Sequence, residues 1–481
     1  MKIEEFRKIK FQNLAPFYFK EIKRDYLLTN EVGEWLFLTE QEFKKFLKGS
    51  YGDDLELYEK LREKNFLKKE MDVDALAQRY NKKHNFLFQG PNLHIVVLTL
   101  RCAHKCLYCQ SSARPVSEKD CDLNKETAQK IVETIFKTTS NFIAIEFQGG
   151  EPLLNWPVLK FIVEYAKRKN KKEKKNLEFR LVTTFDSMNE EKLNFLLKNK
   201  VRLCTSLDGP ENLHDKQRVL VGRNSYRNTI KWIKKTSGIY SKSKIKPPQR
   251  IDGLLTITRF SFPYFKEIVN EYLKLGFDNI SLRSLTPFGL SQKTWGKIGY
   301  SAEDFINFYE KALNYIIELN LSGKEIKENI AAMFLVKILT EKDPNHLDYR
   351  SPCGAGIGQL AYNHNGDVYT CDEGRMLSAM GTEAFKLGNV LENSYEDLVL
   401  SPVVRTLCTA SCLDNLSDCS SCCYKPYCGV CPIYNYFTQG NIFAQTKTNE
   451  RCKINRAILD IIFEKLKDEN IKEIFEKWSK K

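Results

Sequence analysis

The sequence predicts an α/β protein built on a partial (βα)6, TIM-like barrel, preceded by a small α+β domain and followed by a cysteine-rich domain. Three observations support this prediction. From Leu93 to about residue 300, apolar runs typical of buried strands alternate with amphipathic helical segments. Shorter apolar runs separated by turn residues precede them. Ten of the fifteen cysteines then fall between Cys353 and Cys452.

Residues 1–90 are predicted to form the small α+β domain. The runs PFYF, YLLT and GEWLFLT, interrupted by Asn30 and Gly33, are typical of strands. Thr39 and Glu42 form a capping-box pattern ahead of EFKKFL, and ELYEKLREKNFL repeats apolar residues at helical spacing. A small sheet followed by helices is therefore expected.

The barrel is predicted over residues 91–300. Its strands are LHIVVLTL, FIAIEF, FRLVTT, VRLCTSL, GLLTIT and NISLRSL, and the helices between them imply parallel strands with right-handed crossovers. Residues 301–345 repeat apolar residues at helical spacing and are predicted to be a helical bridge. In residues 346–452 Gly, Asn, Asp and Cys become frequent, as expected where metal ligands replace a large apolar core. Residues 453–481 are predicted to form a C-terminal amphipathic helix.

The composition is that of a folded globular protein, with 42% apolar and 12% aromatic residues among 481. No run of about 18 apolar residues occurs, and the start MKIEEFRKIKFQ lacks the layout of a secretory signal. We therefore expect a cytoplasmic protein without a membrane partner. In a reducing compartment, closely spaced cysteines bind metal more often than they form disulfides.

The net charge of +14 raises the alternative of a nucleic-acid partner. The lysines are spread over helices and loops such as KNKKEKKN, with glutamates nearby, which is typical of a solvated surface. We expect no nucleic-acid partner, and an acidic peptide partner is the remaining alternative.

A tight trio of cysteines follows the first predicted barrel strand, in LTLRCAHKCLYCQ. Cys102, Cys106 and Cys109 have a C-x3-C-x2-C spacing on a loop at a strand C-terminus, where a barrel places its chemistry. Three thiolates can bind three irons of a [4Fe-4S] cluster and leave the fourth iron open. Structural zinc is the alternative, but it requires four ligands, and His104 lies inside the loop rather than at a paired spacing.

The cysteine spacing, with Tyr108 just before the last cysteine, resembles the signature of the radical S-adenosylmethionine (AdoMet, SAM) superfamily. The resemblance implies that the open iron binds AdoMet, that an electron from the cluster cleaves it, and that the resulting 5′-deoxyadenosyl radical abstracts a hydrogen atom from substrate. The protein then supplies orientation and exclusion of water.

Two further segments resemble the same superfamily. IEFQGGEPLL is similar to its GGEP segment, which implies that Gly149, Gly150 and Glu151 bind the AdoMet amine; a plain strand-to-helix turn is the alternative. CTSLDGPENLHDKQR implies Ser206 near the AdoMet ribose and Arg218 near its carboxylate. The alternative for Ser206 is a small residue that simply ends a strand.

One strand end departs from the superfamily. Thr183, Thr184 and Phe185 stand where the superfamily usually shows Thr-Asn-Gly. A ribose contact at Thr184 is therefore not expected.

The cysteines after residue 350 have the spacing C-x12-G-x4-C, then C-x2-C-x5-C and further single cysteines. This pattern resembles the SPASM domain, which implies two auxiliary [4Fe-4S] clusters and hence three clusters in the chain. The first set of implied ligands is Cys353, Cys371 and Cys431, with Cys412 preferred over Cys408 as the fourth. The second set is Cys419, Cys422, Cys428 and Cys452. An open iron in the first cluster, and a zinc ribbon for the whole domain, are the alternatives.

Asp372 directly follows Cys371 in VYTCDEG. The resemblance implies that an acid here takes the proton released when the substrate radical is oxidised, and a carboxylate beside a cluster is a plausible base. A turn-forming Asp ahead of Gly374 is the alternative. Cys121, Cys204 and Cys423 are interpreted as ordinary thiols.

Segments along residues 12–452, among them YLLTNEVGEWLFL, LTLRCAHKCLYCQSS and CGVCPIYNYFTQGNIF, resemble the His-Xaa-Ser system radical AdoMet maturases. This family implies a small ribosomally made substrate with His-Xaa-Ser repeats, a second radical SAM maturase, a small accessory protein and an electron donor of the flavodoxin or ferredoxin type. The alternatives are a maturase for a sulfatase or a thioether-bridged peptide, and a zinc-stabilised binding module without turnover. Residues 1–90 resemble leader-binding modules, with a structural cap as the alternative.

Overall fold

The structure, a computed structural model, describes residues 13–242, 251–344 and 346–480. The segment MKIEEFRKIKFQ, and with it the start of the predicted N-terminal domain, lies outside the described residues. The strands are β1 Tyr18–Ile22, β2 Asp25–Thr29, β3 Trp35–Thr39, β4 Leu93–Thr99, β5 His104–Cys106, β6 Phe142–Gly149, β7 Asn176–Thr183, β8 Arg202–Ser206, β9 Arg218–Leu220, β10 Asp252–Leu254, β11 Asn279–Ile280, β12 Lys327–Glu328, β13 Gln359–Tyr362, β14 Asp367–Tyr369 and β15 Lys386–Asn389.

The helices alternate with these strands in the barrel region and predominate after it. They are α1 Glu40–Lys48, α2 Leu55–Glu63, α3 Val73–His84, α4 Lys125–Ile135, α5 Trp156–Glu173, α6 Glu190–Lys198, α7 Glu211–Gln217, α8 Ser225–Lys242, α9 Phe265–Lys274, α10 Leu290–Ile298, α11 Ala302–Leu321, α12 Asn329–Leu339, α13 Asp372–Ser378, α14 Tyr395–Val399, α15 Pro402–Ser411, α16 Ser417–Ser420, α17 Pro432–Gln439, α18 Glu450–Lys465 and α19 Glu469–Lys480.

The central sheet has the strand order β10-β8-β7-β6-β4-β13-β14-β15. From β10 to β13 neighbouring strands are parallel, and β14 and β15 are antiparallel additions. The cysteine-rich region therefore shares one sheet with the barrel. This α/β architecture, with helices joining parallel strands, is the predicted fold class.

The predicted sixth barrel strand, NISLRSL, is shorter than expected. Only β11 forms there, and it pairs with β12 in a separate two-stranded sheet. The segment still lies beside the fifth strand, because the backbone N–H of Ile257 donates to the Arg283 carbonyl at 3.4 Å. β10 is only three residues long, so it offers few backbone groups to a further neighbour.

Alternation along β6 separates the two faces of the sheet. Ile143, Ile145 and Phe147 are fully buried in the main apolar core, which they share with residues of α4 and α5. Ala144, Glu146 and Gln148, which alternate with them along the strand, line a central cavity. The period of two thus places an apolar face under the helices and a polar face inside the barrel.

The N-terminal sheet β1-β2-β3 is an antiparallel meander. Leu28 and Leu36 on one face pack with Phe43 and Phe46 of α1, whose N-cap Thr39 forms the predicted capping box. The other face contacts the C-terminal region. The Thr29 hydroxyl donates to the Cys423 carbonyl at 2.7 Å.

Further contacts bind this sheet to the C-terminal region. The hydroxyl of Tyr427 donates to the Gly33 carbonyl at 3.1 Å, and the rings of Trp35 and Phe463 lie 5.3 Å apart. Removal of the sheet would expose these buried apolar side chains to water. The role of the N-terminal region is therefore better tested by point substitutions than by deletion.

The C-terminal segment differs from the single helix predicted for residues 453–481. It forms two helices, α18 and α19, which pack against α11 and α12. Across the described ranges, no helix is both long and apolar enough to span a bilayer.

Candidate functional site

A cavity of about 630 Å³ extends along the polar face of the sheet, from the strand starts at Leu93 and Phe142 to the strand ends at Gly149 and Ser206. It collects residues that are distant in the sequence. The predicted site residues that line it are Cys102, Cys106, Tyr108, Cys109, Gly149, Gly150, Ser206, Arg218 and Asp372. The tertiary structure therefore brings the three superfamily-like segments and the first cysteine-rich segment to one place.

Backbone pairing holds the cysteine loop in this cavity. Strand β5 pairs antiparallel with β9, which places Cys106 opposite Arg218. The backbone N–H of Cys102 donates to the Arg114 carbonyl at 2.9 Å, and that of Cys109 to the Cys106 carbonyl at 3.1 Å. Burial raises the pKa of Cys106 to about 11. Binding of a cation at these thiols would therefore release protons.

The two glycines after β6 allow a close approach to the cysteine loop. Gly149 has φ +141°, and a Cβ there would lie 2.1 Å from the Thr99 carbonyl oxygen. At Gly150 a Cβ would lie 2.3 Å from the Arg101 carbonyl oxygen. Any side chain at either position would push the two loops apart, so the double glycine has a packing role whether or not it binds AdoMet.

Glu151 is buried, and its carboxylate is held within the protein. It accepts hydrogen bonds from the Thr183 hydroxyl at 2.6 Å, the Thr184 backbone at 2.8 Å, the Thr184 hydroxyl at 2.5 Å and the Leu153 backbone at 3.1 Å. Burial raises its pKa. The threonines that depart from the superfamily pattern thus bind Glu151, and its pairing with the AdoMet amine stays a prediction.

Tyr108, Asp208 and Arg218 form a buried chain of hydrogen bonds. The Tyr108 hydroxyl donates to Asp208 at 2.5 Å and accepts from Arg218 at 2.6 Å. Burial raises the pKa of Asp208 to about 6. The chain fixes the guanidinium next to the cysteine loop, where it can face an anionic group in the cavity.

A second cavity, of about 50 Å³, lies among the C-terminal cysteines. All four thiols of the predicted second auxiliary set line it: Cys419, Cys422, Cys428 and Cys452. Cys431, from the first set, lines the same cavity. The four cysteines, separated by up to 33 positions, thus share one small enclosed space.

Cys353, Cys371 and Cys431 are buried in one apolar cluster with Phe288 and other large side chains. Cys371 caps helix α13, where its sulfur accepts from the Gly374 backbone at 3.4 Å. Cys431 caps α17 in the same way, with an acceptor distance of 3.4 Å from the Tyr434 backbone. Burial raises the pKa of both thiols, so binding of a cation at these two positions would release protons.

The neighbours of Cys412 tie it to the segment that ends at Cys353. The Cys353 backbone N–H donates to the Ser411 hydroxyl at 3.0 Å, and the Leu413 backbone donates to the Ser351 hydroxyl at 2.9 Å. These contacts place the segment that carries Cys412 beside Cys353, and the choice of Cys412 over Cys408 as the fourth ligand stays a prediction.

The donor sets fit clusters better than single metal ions. All fifteen cysteines are free. Within the described residues, no three His, Cys, Asp or Glu side chains converge closely enough to bind one metal ion. Zinc requires sulfurs about 2.3 Å from one centre, whereas a [4Fe-4S] cluster binds each cysteine at a separate iron. A cluster held by Cys102, Cys106 and Cys109 would supply the electron that cleaves AdoMet, and the chain's own residues would orient AdoMet in the cavity.

Asp372 lines the main cavity, and its carboxylate accepts from Nε of Arg375 at 2.7 Å within α13. The next residue, Glu373, also lines the cavity, and burial raises its pKa. Two carboxyl groups therefore stand between Cys371 and the cavity, and the sequence analysis identified only the first.

A row of charged side chains on the inner face of the sheet was not predicted from the sequence. Glu146, Arg180 and Arg202 occupy paired positions on adjacent strands, and Asp252 accepts from Arg202 at 3.4 Å. All four line the cavity. Charged residues at alternate positions within otherwise apolar strands were the available signal.

The three cysteines interpreted as ordinary thiols differ in their surroundings. Cys121 is buried, and its thiol donates to the Glu118 carbonyl at 3.1 Å. Cys423 is buried against the N-terminal sheet. Cys204, by contrast, lines the main cavity rather than packing in the core.

Comparison with known proteins agrees with this geometry. Residues 96–270 match the radical SAM superfamily model. A cysteine-type anaerobic sulfatase-maturating enzyme of Clostridium perfringens is 23% identical over 316 residues, covering 62% of this chain and 76% of the relative.

Two solved structures share the fold. The structure of native anSMEcpe with bound AdoMet is 18% identical, has a TM-score of 0.65, and is matched over 79% of this chain and 99% of that chain. The structure of Streptococcus suis SuiB bound to precursor peptide SuiA is 16% identical, has a TM-score of 0.53, and is matched over 90% of this chain and 98% of that chain.

The predicted fold class is confirmed by these matches. The family model begins within β4 and ends within α9, so it contains the cysteine loop, the double glycine, Ser206 and Arg218. Residues 96–270 therefore form a radical SAM domain, which makes this chain an AdoMet-dependent enzyme, and the chain is similar to maturases such as the sulfatase-maturating enzyme.

Proposed function

We propose that this enzyme modifies a ribosomally made peptide or protein with His-Xaa-Ser repeats, by abstracting a hydrogen atom from a substrate residue held in the main cavity. The observation that carries the proposal is the cavity itself. It joins the Cys102 loop to Asp372 and Glu373, which follow a predicted auxiliary-cluster ligand. A substrate side chain can thus lie between a radical source and an electron acceptor.

The names of similar proteins support the substrate class. One relative is a sulfatase-maturating enzyme, and SuiB is bound to a precursor peptide. Sulfatase maturation is the second candidate, and it is favoured by the match to the sulfatase-maturating enzyme, which covers 76% of that relative. The resemblance of this sequence to His-Xaa-Ser system maturases favours the repeat-containing substrate.

We propose three [4Fe-4S] clusters. The catalytic cluster is bound by Cys102, Cys106 and Cys109, and AdoMet is oriented by Tyr108, Gly149, Gly150, Glu151, Ser206 and Arg218. The first auxiliary cluster is bound by Cys353, Cys371, Cys412 and Cys431. The second auxiliary cluster is bound by Cys419, Cys422, Cys428 and Cys452.

The substrate radical is proposed to lose its electron to the auxiliary clusters and its proton to Asp372. Asp372 lines the cavity, which supports this role, although its carboxylate is paired with Arg375. Glu373 is the alternative base, because burial raises its pKa and it lines the same cavity. A raised pKa makes a carboxylate a stronger proton acceptor.

The N-terminal region is proposed to bind the leader of the substrate. Val73, Tyr80, His84 and Leu87 follow helical spacing along α3 and just beyond it, and Phe88 next to them is 84% exposed. Val73 and Tyr80 are also exposed. Such an apolar stripe suits the apolar side chains of a peptide. The structural-cap alternative is supported by the contacts of the sheet with Cys423 and Phe463.

The remaining proposed partners are a second radical SAM maturase, a small accessory protein and a flavodoxin- or ferredoxin-type electron donor. A cytoplasmic location is proposed with them, since the clusters and the free thiols require a reducing environment.

The proposal is tested by anaerobic incubation of the reduced enzyme with AdoMet and a His-Xaa-Ser repeat protein, with and without its leader. We expect a mass change within the repeat, one 5′-deoxyadenosine per modification, and slower reaction without the leader. A sulfatase-derived peptide serves as the competing substrate. Modification of that peptide alone would replace the proposed substrate by the second candidate.

A point substitution isolates the leader role in the same assay. Phe88→Asp should weaken binding of the full-length substrate about tenfold, as for a peripheral hot-spot residue, while uncoupled AdoMet cleavage stays unchanged. Leu400→Asp is the matched control, because Leu400 is 69% exposed and lies in the C-terminal region. If both variants bind the substrate with equal affinity, the leader-binding role is wrong and the N-terminal region is a structural cap.

A further inference from the structure

Three buried polar side chains connect the cysteine loop to α7 and α8. Ser225, the first residue of α8, has its hydroxyl oxygen 2.9 Å from Nε2 of His104 and 3.0 Å from Nε2 of His214. All three residues are buried. One hydroxyl group therefore bridges two imidazole rings, and one of these rings lies inside the C-x3-C-x2-C loop.

The hydrogen bonds determine where the protons lie. The backbone N–H of Asp208 donates to Nδ1 of His214 at 3.3 Å, so that nitrogen is an acceptor and the ring proton is on Nε2. This Nε2–H donates to the Ser225 oxygen. Among the described residues the Ser225 hydroxyl proton has no acceptor other than Nε2 of His104, so the arrangement that satisfies this buried hydroxyl has Nε2 of His104 accepting it. The ring proton of His104 is therefore on Nδ1.

Nδ1 of His104 is buried and has no hydrogen-bond partner among the described residues. A buried N–H group without an acceptor is costly and rare, so an acceptor from outside the chain is expected. Nδ1 is the ring nitrogen closer to the backbone, and the backbone N–H of His104 donates to the sulfur of Cys102 at 3.4 Å. His104 also lines the main cavity together with Cys102, Cys106 and Cys109, so a donor at Nδ1 is available to a group bound by these cysteines, while Nε2 is bonded to Ser225 of α8.

We propose that Nδ1–H of His104 donates a hydrogen bond to a sulfur of the cluster bound by Cys102, Cys106 and Cys109, and that Ser225 and His214 hold the ring in the tautomer that makes this possible. The inference rests on the cluster ligands of the proposed function. Hydrogen bonds to cluster sulfurs raise the reduction potential, because they stabilise the extra negative charge of the reduced state. His104 is thus a positioning residue that tunes the catalytic cluster.

Two substitutions separate the two ring nitrogens. The amide of Asn reaches the place of Nδ1, and the amide of Gln reaches the place of Nε2. In the reconstituted full-length holoenzyme, a redox titration follows the electron paramagnetic resonance signal that changes when AdoMet is added. His104→Gln should lower the ratio of reduced to oxidised cluster at a fixed potential about tenfold, which is 59 mV for a one-electron couple. His104→Asn should leave the ratio close to that of the wild type.

A measurement on the wild type needs no variant. With [15N]histidine in the chain, the reduced catalytic cluster should show a magnetic coupling to a histidine nitrogen, and His104→Gln should lack it. Absence of this coupling in the wild type would overturn the proposal, as would equal potentials for His104→Gln and the wild type. A wild type with no AdoMet-responsive cluster signal would instead show that the cluster assignment of the proposed function is wrong, and the inference would fall with it.

Discussion

The cysteine loop of the barrel and the C-terminal cysteine quartet line cavities of very different volume. Cys102, Cys106 and Cys109 line a cavity of about 630 Å³. The quartet Cys419, Cys422, Cys428 and Cys452 encloses about 50 Å³. Three thiols face a space large enough for a nucleoside and a substrate side chain, whereas four thiols face a space with no room for either. The difference is the one expected between a cluster that binds a ligand and a cluster that only transfers electrons.

The residues around the two cavities also differ in polarity. The large cavity is lined by charged groups such as Arg180, Arg218 and Glu373, and its glycines admit close backbone approach. Behind the quartet, Cys423, Tyr424 and Tyr427 are buried against the N-terminal sheet and α18. The large cavity is thus lined by polar and charged residues, whereas aromatic side chains pack beside the small cavity of the quartet.

The largest expected effect comes from the open site. Replacing Cys102, Cys106 and Cys109 together by Ala should abolish AdoMet cleavage and lower bound iron from about twelve to about eight per chain. The fold should survive because the barrel core is apolar. Reductive formation of 5′-deoxyadenosine and iron content are the measurements. Cys121→Ala, at a buried thiol outside all three ligand sets, is the control, and persistent cleavage in the triple variant would contradict the assignment.

An intermediate effect is expected at the closed site. Replacing Cys419, Cys422 and Cys428 together by Ala should remove one auxiliary cluster, lower iron to about eight per chain, and stop substrate modification while uncoupled AdoMet cleavage continues. Iron content, zinc content and product mass are measured together. Cys423→Ala is the matched control, because this neighbouring thiol contacts Thr29 rather than the cavity. A wild type with about four irons and bound zinc would show that the C-terminal cysteine-rich domain as a whole binds zinc instead of clusters.

The smallest effect is expected at Cys412. Cys412→Ala should change the spectrum of the first auxiliary cluster while iron stays near twelve per chain, because three cysteines suffice to retain the cluster. Cys408→Ala is the comparison on the same helix end. If only Cys408→Ala alters that spectrum, the preferred ligand is wrong, and if neither does, the first auxiliary cluster has an open iron like the catalytic one.

The parts of the site that sequence analysis located are those with short, regular spacing. The cysteine loop, the double glycine and the SPASM-like cysteines are each recognisable within a few residues. Glu373 was not predicted, because the role of the base was assigned to Asp372, which directly follows Cys371. The inner row of Glu146, Arg180 and Arg202 was missed because each residue is an isolated charge on a different strand, and only strand register brings them together.

The hydrogen-bond partners of predicted residues could not be inferred from local sequence patterns either, because these partners lie far away in the sequence. Glu151 was assigned to the AdoMet amine, yet its carboxylate is held by Thr183 and Thr184, which lie 32 and 33 positions later. His104 was noted only as a residue unsuited to zinc, and its partner Ser225 lies 121 positions away. Neither distance can be inferred from periodicity or spacing.

The sequence by itself determined the alternation of strands and helices, the glycine positions and the grouping of cysteines, because these depend on side-chain periodicity, backbone freedom and ligand number over short stretches. Only the tertiary structure decided that β13 of the cysteine-rich region joins the barrel sheet, that the N-terminal sheet packs against Cys423 and Tyr427, and which thiols line the large cavity. These outcomes depend on burial of apolar surface between segments hundreds of residues apart, which no local pattern records.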